Sequence, residues 1–169
     1  MKKVMIQLND IKKALNPNYI CDDSIMSERK EGMRVSVKHN KEFVLFESDH
    51  KKAKYNDCFN QNEEVVNRKA DYIIFSIKNN TIYAVIAELK VSDDPREQLD
   101  LTEYLVNYIV GRILYKHKSN MNVIIKKVGV FKKLPQHYKS LTKPGKIYND
   151  DGYAFTDTTE FRLGLFLLK

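Results

Sequence analysis

Cysteine is scarce in this chain. Cys21 and Cys58 are the only two among 169 residues, and they form no CxxC pair. A disulfide-dense scaffold and a cysteine zinc motif are therefore excluded; free thiols in a reducing compartment, the cytoplasm, are expected, with one unforced bridge as the alternative. The four histidines, His39, His50, His117 and His137, are scattered and lack zinc spacing. The six glycines are dispersed and never form GxGxxG, so a glycine-rich phosphate loop is missing. There is no apolar run of about 20 residues, and no membrane span is expected. Met1-Lys2-Lys3 is not followed by a sustained apolar stretch, so a secretory signal is not expected either. Internal repeats and low-complexity segments are also lacking.

Hydrophobic residues make up 43% of the chain, which argues against general disorder, and the length suits one domain with a real core. The net charge is +7. Such a surface attracts polyanions, nucleic acid being the commonest, and phosphate contacts would make that binding salt-dependent.

The stretch from Ala70 to Lys90 organises the rest. Two runs rich in Ile, Tyr and Val flank Lys78-Asn79-Asn80, a pattern that predicts a β-hairpin with an Asn pair at positive φ. Folding back brings Asp71, at the start of the first strand, beside Glu88 and Lys90, at the end of the second. Strand alternation points Glu88 and Lys90 one way and Leu89 the other. The apolar run before Glu88 predicts burial on both faces, where a carboxylate needs a partner or a metal. Two readings stand: a structural salt bridge with Lys90, or a divalent-metal site of hard oxygen ligands with a neighbouring lysine.

Elsewhere the spacing predicts a helix over 2–15 and a polar stretch over 19–31. Residues 33–47 read as a second hairpin, with strands at 33–38 and 43–46. Residues 55–69 read as loop. Asp94-Pro95-Arg96-Glu97 marks the start of a helix running to about His117. Its inward stripe is read as Gln98, Leu101, Leu105, Tyr108, Ile109 and Val110 or Ile113. Residues 122–131 predict a strand joined to the hairpin by a parallel crossover, interrupted at Lys126-Lys127 by a bulge or an edge. A basic loop over 132–151 interleaves Lys132, Lys133, Lys139 and Lys143 with Tyr138 and Tyr148. It reads either as a solvated loop or as a nucleic-acid contact. Residues 160–168 read as a closing strand.

Asp71, then Glu88-Leu89-Lys90, then a helix carrying Gln98, resembles the PD-(D/E)XK, or restriction-endonuclease-like, nuclease superfamily. The likeness covers about residues 55–115, with Ala70 where many members have Pro. It implies an α/β fold: a mixed sheet with a central hairpin flanked by helices. The whole chain, 1–169, would be one such domain, with its core at about 55–131 and elaborations at 1–54 and 132–169. By resemblance, Asp71, Glu88 and the Leu89 backbone carbonyl would hold Mg²⁺, with Mn²⁺ as a substitute. Lys90 would act electrostatically on the attacking water or the transition state, and Gln98 would orient. An upstream acid is expected, with Asp57 and Glu47 as the candidates. The activity implied is metal-dependent hydrolysis of a phosphodiester bond in nucleic acid, DNA ahead of RNA, by a homodimer or a larger complex. The alternative is a non-catalytic nucleic-acid- or protein-binding module of the same fold.

Overall fold

Asn79 and Asn80 adopt φ values of 49° and 57°, the pair of left-handed residues that a tight two-residue turn between twisted strands requires. The computed structural model describes residues 5–30, 32–50, 68–141 and 146–167. Around that turn, β4 (Tyr72–Lys78) and β5 (Thr81–Lys90) pair antiparallel, with Tyr72 opposite Ala87. Every residue from Thr81 to Leu89 is buried, so β5 is the covered centre of the sheet.

On one side of the hairpin, β3 (Val44–Glu47) pairs antiparallel with β4. On the other, the helix α2 (Arg96–Lys116) carries the chain over to β6 (Asn122–Phe131), which lies parallel to β5. The strand β7 (Tyr153–Thr156) then joins β6, also parallel. The main sheet is thus β3-β4-β5-β6-β7. It reaches beyond residues 55–131 at both edges. A second sheet holds β1 (Ile25–Glu28), β2 (Met33–Lys38) and β8 (Glu160–Arg162), in the order β1-β2-β8.

Two cores result from strand alternation. Tyr72, Ile74, Val85, Ala87 and Leu89 face the small sheet, where Met26, Val35, Val37 and Phe161 meet them. Ile73, Phe75, Ile82, Ala84 and Ile86 face the helices, against Ile11 of α1 (Leu8–Ala14) and Leu99, Val106, Val110 and Ile113 of α2. The described part of the chain is therefore mixed α/β, with two mixed sheets and four α-helices; the others are α3 (Gln136–Leu141) and α4 (Leu163–Phe166). No helix among the described residues is long and apolar enough to cross a membrane.

Several local expectations change. Residues 33–47 are not a hairpin, because β2 pairs with β1 and β8 whereas β3 pairs with β4. The burial patterns explain why. Positions along β2 alternate between buried and wetter, which suits an outer sheet, whereas Val44, Leu45 and Phe46 are all buried. The stretch 19–31 contains β1, and 132–151 contains α3. The closing strand stops at Arg162 and continues as α4. The β5–β6 register is continuous, so Lys126-Lys127 makes no bulge. Lys127 instead binds Asp100 at 2.8 Å and Glu103 at 2.5 Å, and Lys126 lies over the Tyr148 ring. The buried stripe of α2 is Leu99, Thr102, Val106, Val110 and Ile113, with Tyr108 exposed.

Gly129 lies beside Glu88 in the β5–β6 register. A Cβ there would stand 2.8 Å from Pro95 Cγ, 3.0 Å from Phe155 Cδ1 and 3.2 Å from Phe131 Cε2. The absence of a side chain lets the entry to α2 sit close on the sheet. Gly129→Ala should cost about 1–3 kcal/mol of stability through overpacking, read from the midpoint of urea unfolding at unchanged m.

Candidate active site

Asp71 precedes the first residue of β4, and Glu88 lies near the end of β5, so the fold-back sets them opposite each other. The pair is clasped through the backbone. The Asp71 N–H donates to Glu88 Oε2 at 2.9 Å, and the Leu89 N–H donates to Asp71 Oδ2 at 2.7 Å. Lys90 Nζ meets Glu88 Oε1 at 2.8 Å. Glu88 is only 2% exposed. Glu88 and Lys90 meet on one side of the sheet end, and Asp71 is tied to Glu88 and Leu89 through the backbone. Both Glu88 oxygens already have a donor; among the described residues Asp71 Oδ1 has none.

Three contacts fix the backbone before Asp71. The Ala70 N–H donates to Thr102 Oγ1 at 2.6 Å, from the buried face of α2. Ser48 Oγ donates to the Ala70 carbonyl at 2.6 Å, and the Ser48 N–H donates to the Asp71 carbonyl at 2.9 Å. Ser48 and Thr102 are both fully buried. Gln98 Nε2 donates to the Lys69 carbonyl at 3.3 Å, so its amide steadies the segment leading to Asp71. The entry to α2 is capped by Asp94, whose Oδ1 accepts the Arg96 N–H at 3.0 Å.

The electrostatics of the pair follow from its burial. The Asp71 carboxyl is pushed up to about 8, first by burial and then by the charge of Glu88, with Glu28 and Asp49 adding to the effect and the Leu89 N–H opposing it. Glu88 is also raised by burial, against the lowering influence of Lys90. Two adjacent carboxyls of this kind titrate as a unit. Both carboxyls are thereby pushed toward their protonated forms.

Of the upstream candidates, Asp57 lies outside the described residues. Glu47 pairs in register with Tyr72, on the small-sheet side. Asp49, two residues on, acts on both carboxyls of the pair and is bridged to Lys69 at 3.4 Å. Glu28, at the end of β1, acts on Asp71. Glu28, Glu47, Asp49 and Asp71 line one cleft of about 540 Å³, into which His50 and Arg29 also reach. Asp71 opens on that cleft, with Glu88 behind it. Glu28, Asp49, Ser48 and Thr102 carry no local motif; only the pairing of distant strands assembles them here.

Of the basic residues assigned to nucleic acid, Lys132 and Lys133 are exposed just after β6, at the sheet end where Lys90 lies. The Lys132 N–H donates to the Lys90 carbonyl at 3.0 Å. Lys139 is exposed on α3, and Lys143 lies outside the described residues.

Among the described residues, no group of three or more His, Cys, Asp or Glu side chains is disposed to hold a metal ion. The donors present are two carboxylates of hard oxygen, a set that suits Mg²⁺ with its retained waters. Comparison with protein-family models, curated proteins and solved structures returns no match.

Two measurements test this geometry. A carboxyl raised in the folded state binds a proton that the unfolded chain has already released. The metal-free protein therefore loses stability as pH rises from about 4, the unfolded value, through about 8. Asp71→Asn keeps an acceptor for Leu89 and removes the titration. Its melting temperature should gain on wild type between about pH 4 and pH 8 and level off above that; a gap independent of pH would show that Asp71 is not raised. Thr102→Val leaves the buried Ala70 N–H without its acceptor and should cost about 1–3 kcal/mol, measured by chemical denaturation.

Proposed function

We propose that this chain is a metal-dependent nuclease of the restriction-endonuclease-like type, hydrolysing phosphodiester bonds in nucleic acid. The observation that carries the reading is the clasped Asp71–Glu88 pair with Lys90 at the end of a buried hairpin. A salt bridge alone needs one acid and one base. Here a second acid is held against the first, and both are driven toward their protonated forms. Such an arrangement is a standing destabilisation, and raised, paired carboxyls gather at functional sites.

The element order adds support. Along the chain, β3, β4 and β5 form an antiparallel meander and α2 carries the chain to β6, parallel to β5, while β1 and β2 stand between α1 and β3. A hairpin followed by a helix and a parallel strand is in keeping with the mixed sheet that the resemblance of Asp71 and Glu88-Leu89-Lys90 to PD-(D/E)XK nucleases implies.

In this reading Asp71 and Glu88, with the adjacent Leu89 carbonyl, hold Mg²⁺. The ion when bound would supply a more acidic water and a Lewis acid for the phosphate oxygens. Glu88 holds Lys90 by its ion pair, which presents an ammonium where phosphate charge would develop. Asp71 gives up the pair's proton on metal loading, so binding should be accompanied by proton release. Gln98 and Thr102 keep Asp71 in register from α2. The exposed Lys132, Lys133 and Lys139 offer backbone-phosphate contacts, which position a strand without reading its sequence.

Glu88→Ala and Lys90→Ala should each abolish Mg²⁺-dependent cleavage of a labelled DNA or RNA, by at least about 100-fold, while binding in EDTA stays within a few fold. Cleavage equal to wild type in both variants discards the catalytic assignment. Salt-sensitive binding without cleavage by any of the three proteins, in Mg²⁺ or Mn²⁺, would leave a non-catalytic binding module.

A further inference from the structure

The outer face of α2 has no partner. Tyr104, Tyr108 and Tyr115 are 74%, 65% and 86% exposed. Among the described residues none of them makes a hydrogen bond, an ion pair or a ring contact. At 3.6 residues per turn, the spacings of four and seven put all three rings within one narrow arc. Gly111 falls in the same arc, and a Cβ there would meet nothing within 4 Å. A mid-helix glycine weakens a helix, and no packing here requires one. It leaves a bare gap between Tyr108 and Tyr115.

Charge decides what fits this face. The segment from Tyr104 to Asn149 holds ten Lys and Arg and no Asp or Glu. Arg112, Lys116 and Lys118 are exposed alongside or just beyond the rings. These cations lie at the end of the helix that carries the rings, whereas its acids, Glu97, Asp100 and Glu103, lie in the first turns. A strand of nucleic acid supplies phosphates for the cations and flat bases for the rings.

We infer that Tyr104, Tyr108 and Tyr115, with Arg112 and Lys116 beside them, form a platform for single-stranded nucleic acid. Successive bases stack on the phenol rings, and the gap at Gly111 admits a base between two of them. Stacking on aromatic side chains tolerates any base sequence. A duplex keeps its bases stacked on each other and offers the rings nothing. The first turn of the same helix carries Gln98, bonded to the segment before Asp71. The inference deepens the nuclease reading and rests on it for its substrate class: it commits that site to single strands or to duplexes with unpaired overhangs.

The test is binding, with catalysis silenced. Fluorescence anisotropy in EDTA, at fixed salt, compares a labelled oligothymidylate with a labelled duplex. Each Tyr→Ala change should weaken oligothymidylate binding roughly 5- to 100-fold and leave the duplex within twofold. The Tyr→Phe changes, which keep the stacking face, should stay close to wild type. Gly111→Leu should weaken single-strand binding although it favours the helix, so a folding defect cannot explain the loss. The chain has no tryptophan, so its intrinsic emission comes from tyrosine and should be quenched by the oligonucleotide. Unchanged oligothymidylate affinity in the triple alanine variant overturns the platform. So does that result accompanied by conversion of a wild-type dimer to monomer in sedimentation, which would assign the face to a second copy. Cleavage by Glu88→Gln reports separately: if it equals wild type while the tyrosine variants lose binding, the nuclease reading falls and the platform remains.

Discussion

Two short hydrogen bonds, crossed between the strands of one hairpin, set the terms for the rest of the molecule. Each carboxylate of the Asp71–Glu88 pair accepts a backbone N–H from the other's strand end. The bonds satisfy acids that burial would otherwise make costly, and they bring the two acids together. Neither acid can turn away without leaving a buried N–H unpaired, an expensive event. Local backbone geometry therefore enforces an arrangement that electrostatics opposes.

The surroundings read as support for that arrangement. Ser48 reaches from the end of β3, Thr102 from the buried face of α2, and Gly129 clears the space in which Pro95 starts that helix. None of these residues bears charge, and none is needed for a hairpin to form. Together they remove the freedom by which Asp71 could relieve its repulsion from Glu88. A purely structural sheet end would be better served by one carboxylate and one lysine. The extra acid, with Glu28 and Asp49 adding negative potential, makes sense where a cation or a proton is to be exchanged.

How much of this was legible in the sequence depended on range. The β4–β5 hairpin, its Asn79-Asn80 turn, the Asp94 cap and the β5–α2–β6 crossover all rest on patterns within a few residues or within one supersecondary unit. The carboxylate pair was legible for the same reason, since a hairpin fixes which residues end up opposite. Partners chosen across the fold were not. The alternation at 33–38 identified a strand but not the strand beside it, and β2 turned to β1 and β8. Ser48, Asp49 and Glu28 reach the site only because β3 adds to β4 and the small sheet covers the opposite face. The inward stripe of α2 departs from the expected one because the ring of Tyr108 suits a core and its hydroxyl suits water, whereas Val106 suits only the core. The position of the sheet decides which of them is covered.

That last ambiguity bears on function. A helix facing a core on one side and water on the other normally shows polar residues outward. Here the outward face carries three tyrosines and a glycine, which blurs the amphipathic signal and so conceals the true stripe. If the outer residues served only solubility, Glu and Lys would do better and the helix would be more stable. On the proposed platform the rings would instead stack bases, with Arg112 and Lys116 beside them for the phosphates. The same helix then has two duties on opposite sides: Thr102 and Gln98 steady the acid pair from within, and the tyrosines present a strand from without. The first turn, close on the sheet where Gly129 clears space for Pro95, holds the side that faces the acid pair.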